Sequence, residues 1–190
     1  MKQAKVLSEK EIKKVLGLVK LRRHSERDEL VVMLSYYAGL RSCEIASLRI
    51  CDVLGEDGEV KDAILLSAWQ TKGTERQTVM LGQRLRKAIK KYVRGKRESA
   101  KQTAPLIRSQ QGKAFSSGSL QNLFRSIYES AGIHGASSHS GRRTFITALS
   151  EKGVSVRVIQ KLARHSSLAT TQRYIEVNDA VMRKAVELVG

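Results

Sequence analysis

Three short patches concentrate the side chains of this 190-residue chain that could do chemistry. The first runs Ala38-Gly39-Leu40-Arg41-Ser42-Cys43-Glu44-Ile45-Ala46-Ser47-Leu48, the second Ser138-His139-Ser140-Gly141-Arg142-Arg143-Thr144-Phe145, and the third from Leu162 through Arg164 and His165 to Tyr174. Displacement at a phosphodiester builds negative charge on the non-bridging oxygens. Fixed guanidinium groups meet that charge bidentately and stay protonated. Arg41 and Arg142 are the candidates for such a clamp, with His165 as a third donor. Tyr174 offers a phenol oxygen as nucleophile, and covalent catalysis splits one difficult displacement into two easier steps. A free phenol, with a pKa of about 10, needs proton removal or a strongly positive site to attack at neutral pH. Taken singly, each residue is ordinary. An arginine at a helix start is commonly a surface residue, lone histidines are more often structural than catalytic, and a lone tyrosine most often packs. Glu44, one turn after Arg41, is expected to pair with and orient nearby cations, and Arg143 adjoins Arg142, so the clamp residue could slip by one.

The elements that must hold these side chains are mostly helical. Ser8 and Glu11 form a capping-box pattern, and Ile12, Val15, Leu16 and Val19 recur at helical spacing, so a helix is expected over about 9–20. The dense apolar run from Leu30 to Tyr37 reads as a buried helix that Gly39 ends in a left-handed conformation. Ser42 is expected to cap a short helix through Leu48. From Val60 to Gln70 and from Gln77 to Leu81 the residues favour strands, with Thr71-Lys72-Gly73-Thr74 as the turn between them, so an antiparallel hairpin carries Lys72 at its tip. A third strand is expected at Leu106-Ile107. A basic amphipathic helix covers 83–97, further helices about 117–131, 140–152, 155–164 and 168–174, and an amphipathic segment 178–188 closes the chain. The fold class is mainly α with a small antiparallel β-sheet (α+β), as one domain over 1–190.

Thirty-five Lys and Arg face 18 Asp and Glu, a net charge of +17. Such an excess opposes compaction by self-repulsion and suits a polyanionic partner, nucleic acid first and an anionic membrane surface second. No apolar stretch of about 20 residues is present to span a bilayer as a helix, and the start of the chain lacks the apolar core of a signal peptide. Cys43 and Cys51 are too few for a zinc site and are read as small, partly buried apolar residues.

Together the three patches resemble the signature boxes of the tyrosine recombinase (phage integrase) family, over nearly the whole chain from Ala4 to Val177. Each box alone is weak. Their joint order is specific: Arg, Lys on a hairpin, His-x-x-Arg, then His 23 residues after Arg142, then Tyr nine residues later. The resemblance implies cutting and rejoining of double-stranded DNA through a 3′-phosphotyrosyl link on Tyr174, with no metal, ATP or other cofactor. It implies His139 as base or orienting group and Lys72 as proton donor to the departing 5′-oxygen. It further implies a homo-tetramer on paired DNA sites, accessory DNA-bending proteins in some systems, no membrane partner, and a cytoplasmic, nucleoid-associated setting. The tail 178–190 is expected either to be exchanged between protomers or to fold back. Type IB topoisomerases use a similar residue set, but the box ending at Tyr174 is more like integrases; a DNA-binding regulator without catalysis would not need all six residues.

The sequence departs from the family pattern in three places. Residues 1–190 are expected to form a single catalytic domain, without the N-terminal helical domain that usually completes a clamp around DNA. Arg164 stands where Gly usually precedes the second His, so a shifted His165 or an added phosphate contact is expected. Gly141 replaces the commoner Leu, and looser local packing is expected there.

Overall fold

The computed structural model describes residues 3–71, 75–94, 103–174, 182–183 and 186–187. Lys72 and most of the tail 178–190 lie outside the described residues.

Helix α1 (Glu9–Val19) starts at Ser8, whose hydroxyl accepts from the Glu11 amide while the Glu11 carboxylate accepts from the Ser8 amide at 2.9 Å. Its inward face is the expected Ile12, Val15, Leu16 and Val19. Helix α2 (Ser25–Ala38) buries every residue from Leu30 to Ser35, because it is the central post of the molecule. It touches α1, α3 (Ser42–Ser47), α5 (Gln83–Arg94) and α7 (Ser140–Glu151). Gly39 ends it at φ +60°, where an added Cβ would lie 2.6 Å from the Phe145 ring, so glycine is required both for conformation and for space.

Helix α3 begins one residue earlier than expected. Arg41, not Ser42, is the residue before its first turn, and the Glu44 carboxylate accepts from the Arg41 amide at 2.8 Å. A one-turn helix α4 (Ile50–Val53) follows. Strands β1 (Ala63–Leu66) and β2 (Gln77–Met80) pair antiparallel, with Ile64 opposite Val79 facing the core and Leu65 and Met80 facing out. The first strand stops at Leu66 rather than running to Gln70. The Gln70 side chain is buried, binding the Ser67 amide, the Asp52 carboxylate and the Ser47 carbonyl, and this winds 68–70 into a 3₁₀ turn. Leu106-Ile107 does not join the sheet: Leu106 donates to the Leu48 carbonyl and Pro105 forms an isolated bridge with Arg49.

Helices α6 (Ser117–Ser130), α7, α8 (Val156–Ala163) and α9 (Leu168–Gln172) complete the described chain. Gly141 does not loosen the packing. An added Cβ would meet Ser35 Oγ at 2.5 Å, so this glycine lets α7 lie directly against α2. The first residues form a strap over α7: Leu7 donates to Thr144 Oγ1 at 2.9 Å, Lys5 donates to the Gly135 carbonyl, and Arg143 donates to the Ala4 carbonyl. A main core lies around α2, and a smaller cluster of Ile146, Ile159 and Ala163 joins α7 to α8, with Tyr174 packed on its edge. Cys43 and Cys51 are free and half-buried. Among the described residues, no helix is long and apolar enough to cross a membrane.

Candidate active site

The end of α2, the start of α3, the start of α7 and the turn after α8 meet at one place. The reason is local. Gly39 turns the chain so that Arg41 reaches toward the Arg164 carbonyl in the turn after α8, and α7 lies close enough, at Gly141, for Arg142 to reach the Gly39 carbonyl.

A buried carboxylate organises the guanidiniums. Glu44 has no exposed surface; its Oε1 accepts from Arg41 Nη1 at 2.6 Å and its Oε2 from Arg164 Nη2 at 2.8 Å. Burial pushes this carboxyl up, but Arg164 and Arg41 outweigh it and hold it below the usual carboxylate range. Orienting nearby cations is the role expected of it from sequence. Arg142 is buried, donating from Nη1 to the Gly39 carbonyl at 2.6 Å and from Nη2 to the Ala163 carbonyl. Burial first, and then repulsion from Arg41 and Arg164, pushes Arg142 down to about 9, which leaves it cationic at neutral pH. Three guanidiniums thus cluster about one carboxylate, two of them bonded to it, and the excess positive charge seeks an anion.

His165 sits beside them. Its Nδ1 is 3.0 Å from Thr171 Oγ1, and its carbonyl accepts from Gln160 Nε2. Burial, reinforced by Arg142, Arg41 and Arg164, pushes its imidazole down to about 4, so the ring is neutral at pH 7. The Tyr174 ring stacks on it, centroids 5.7 Å apart and planes at 25°. The Arg143 guanidinium lies 5.9 Å from the Tyr174 ring centroid.

These groups open onto a cleft of about 1000 Å³ whose walls include Arg41, His139, Arg142, Arg143, His165 and Tyr174. Lys5, His134 and Arg173 also face it, and no carboxylate lines it among the described residues. Such a basin focuses positive potential on an incoming anion. Five of the six residues singled out from sequence therefore share one cleft, and Lys72 lies outside the described residues. His139, before the first turn of α7, is exposed on the cleft rim. Among the described residues, no cluster of His, Cys, Asp or Glu could hold a metal ion.

Arg164 behaves differently from either expectation. It adopts the left-handed conformation a glycine would have supplied, at φ 56°, so the turn into His165 is kept. Its guanidinium turns inward to Glu44 and is buried, so it is not placed as a phosphate contact. Sequence reasoning missed Thr171, Arg173, His134 and the strap at Gln3 to Lys5. Thr171 lies six residues after His165 in a helix of five residues, and nothing in a lone threonine marks a ring nitrogen as its partner.

Residues 5–180 match the model of the phage integrase family. The chain is 31% identical over 183 residues to the tyrosine recombinase XerA of Pyrococcus furiosus, covering 96% of this chain and 61% of that protein. It is 32% identical over 153 residues to the tyrosine recombinase XerC of Pelobacter propionicus, covering 80% of this chain and 48% of that one. It thus spans about three fifths or less of the length of these relatives. A crystal structure of XerA recombinase superimposes with a TM-score of 0.78 at 24% identity, covering 99% of this chain and 64% of that chain. The XerH site-specific recombinase bound to a palindromic difH substrate, in a post-cleavage complex, gives a TM-score of 0.73 at 25% identity, covering 95% and 51%. With the family model matched almost end to end and the three sequence patches gathered around one cationic cleft, the chain belongs to the phage integrase family.

Proposed function

We propose that the protein is a site-specific recombinase that cleaves and rejoins double-stranded DNA through a phosphotyrosyl intermediate. The observation that carries this reading is the meeting of Arg41, Arg142, His165 and Tyr174 at one cleft that has no carboxylate on its described walls. The other four tyrosines, Tyr36, Tyr37, Tyr92 and Tyr128, do not line this cleft, and burial pushes each of their phenols up.

In this reading the Tyr174 oxygen attacks the phosphorus. The new phosphorus–oxygen bond leaves the 3′-phosphate on the enzyme, the bond to the 5′-oxygen breaks, and that oxygen departs with a proton. Arg41 and Arg142 hold the non-bridging oxygens, already aimed by Glu44 and by the carbonyls of Gly39 and Ala163. Because Thr171 engages His165 Nδ1, Nε2 is the ring nitrogen offered to phosphate. His139, on the rim, assists as base or orienting group for the phenol. Lys72 is assigned the proton donated to the 5′-oxygen on family resemblance alone. Rejoining reverses these steps, so no metal or nucleotide cofactor enters. Double-stranded DNA is the partner, as a tetramer on paired sites, with accessory bending proteins where a site requires them.

The test is a nicked suicide DNA carrying the site, which traps a covalent protein–DNA adduct. Wild-type protein should form it, and Tyr174→Phe should not while keeping DNA affinity. An adduct formed by Tyr174→Phe would remove Tyr174 as the nucleophile. Relaxation of supercoils without exchange of strands between duplexes would instead favour a topoisomerase.

A further inference from the structure

We propose that Arg164 is a positioning residue of the phosphate clamp, fixing Arg41 through Glu44 and Arg142 through the Gly39 carbonyl. The inference rests on the recombinase reading and assigns a task to a side chain that contacts no substrate.

The geometry is specific. Arg164 is 8% exposed, and its guanidinium spans three elements. Nη2 donates to Glu44 Oε2 at 2.8 Å and to the Gly39 carbonyl at 3.1 Å. Nη1 donates to the Leu162 carbonyl at 3.1 Å and, at the limit of a hydrogen bond, to the Ala38 carbonyl at 3.5 Å. Occupying Oε2 leaves Glu44 Oε1 to Arg41 Nη1. The Gly39 carbonyl that Arg164 binds is the one that receives Arg142 Nη1 at 2.6 Å. The backbone carbonyl of Arg164 in turn lies 3.5 Å from Arg41 Nη2. Both clamp arginines are therefore held by atoms that Arg164 itself orients or supplies.

The backbone makes the case sharper. Arg164 is the one non-glycine residue at positive φ among the described residues, a conformation that glycine adopts without penalty. If the turn were the whole purpose of this position, glycine would serve it better than arginine. The side chain also leaves its own Nε buried without a partner. Arginine at this position therefore accepts two local costs, and its contacts to Glu44 and Gly39 are what it gains.

Two roles thus give opposite outcomes for Arg164→Gly. A turn-forming role alone predicts an equal or faster reaction, since the backbone relaxes. A positioning role predicts a slower one. On the nicked suicide DNA, under single-turnover conditions, Arg164→Gly should form adduct about tenfold or more slowly than wild type, with DNA affinity within about threefold. Arg164→Lys should fall between them, since one ammonium can reach Glu44 but cannot also span the carbonyls. A wild-type rate in Arg164→Gly overturns the proposal. So does a loss of affinity that matches the loss of rate, which marks a general folding defect, or an Arg164→Lys rate no better than that of glycine. A second readout needs no reaction. In ¹⁵N NMR, the Nη signals of Arg41 and Arg142 should be resolved by restricted rotation in wild type and averaged in Arg164→Gly. Signals that stay resolved in the variant overturn the proposal even if wild type forms no adduct. That last result alone would instead overturn the recombinase reading.

Discussion

His165 is kept uncharged first by burial and then by the cations around it. Burial and the guanidiniums of Arg142, Arg41 and Arg164 push its folded-state pKa from 6.5 down to about 4. Between those values the unfolded chain binds a proton that the folded one refuses, so stability rises with pH across this window. The contribution is fully present above about 6.5 and is lost as pH falls toward about 4. Thermal melts across this range should show wild type losing more stability on acidification than His165→Gln. Glu44, whose carboxyl is also held low, titrates in both proteins and cancels in the comparison. Parallel curves for the two proteins would contradict the assigned environment of His165. At this scale the sequence was readable as to which residues come together: Arg41, His139, Arg142, His165 and Tyr174, singled out by type and spacing, all line one cleft. Thr171 and the inward turn of Arg164 were not readable, because each depends on a partner distant in sequence or in an unmarked position.

The helices and their ends were legible where local chemistry decides them. The Ser8 capping box, the inward face of α1 and the left-handed Gly39 all appear as expected. Where tertiary contacts decide, the sequence misled. The buried amide of Gln70 shortened β1 and backbone pairing with Leu48 drew Leu106 away from the sheet, while the local cap from Glu44 put Arg41 rather than Ser42 before the first turn of α3. Gly141 is the clearest case, since its lack of a side chain speaks locally of looseness and in the fold of close approach. Gly141→Ala would place a methyl 2.5 Å from Ser35 Oγ and 3.0 Å from Ser35 Cβ. Overpacking of this kind costs about 1–3 kcal/mol. Each kcal/mol lowers the melting temperature of a chain this size by roughly 2–4 °C. Because α7 carries Arg142, the variant should also slow adduct formation. An unchanged melting temperature would mean that α2 and α7 are not in the close contact described.

Over the whole molecule, the charge of +17 and the lack of any carboxylate among the described residues of the cleft wall point the same way. A polyanion that neutralises these cations releases bound counterions, so affinity should fall steeply with salt, by about 0.9 in log K per log salt for each phosphate contacted. Arg173, exposed on the cleft wall, is expected to contribute one such contact. Arg173→Ala should weaken DNA binding to a similar degree across sequences and reduce the salt slope by about 1. A slope unchanged by the substitution would take Arg173 off the DNA path. The overall sign and location of charge were readable from composition. That Lys5 and Arg173 share that wall with Arg41 and Arg142 was not, because they come from separate segments that only folding brings together.

The most direct measurement is to map the point of attachment in the trapped protein–DNA adduct. Trypsin cuts after Arg173 and Arg183, so residues 174–183 form one peptide whose sole tyrosine is Tyr174. Mass spectrometry after nuclease digestion should find a nucleotide joined through its 3′-phosphate to that peptide. A nucleotide on any other peptide, or one joined through a 5′-phosphate, would contradict a phosphate held between Arg41 and Arg142 with the Tyr174 oxygen beside it.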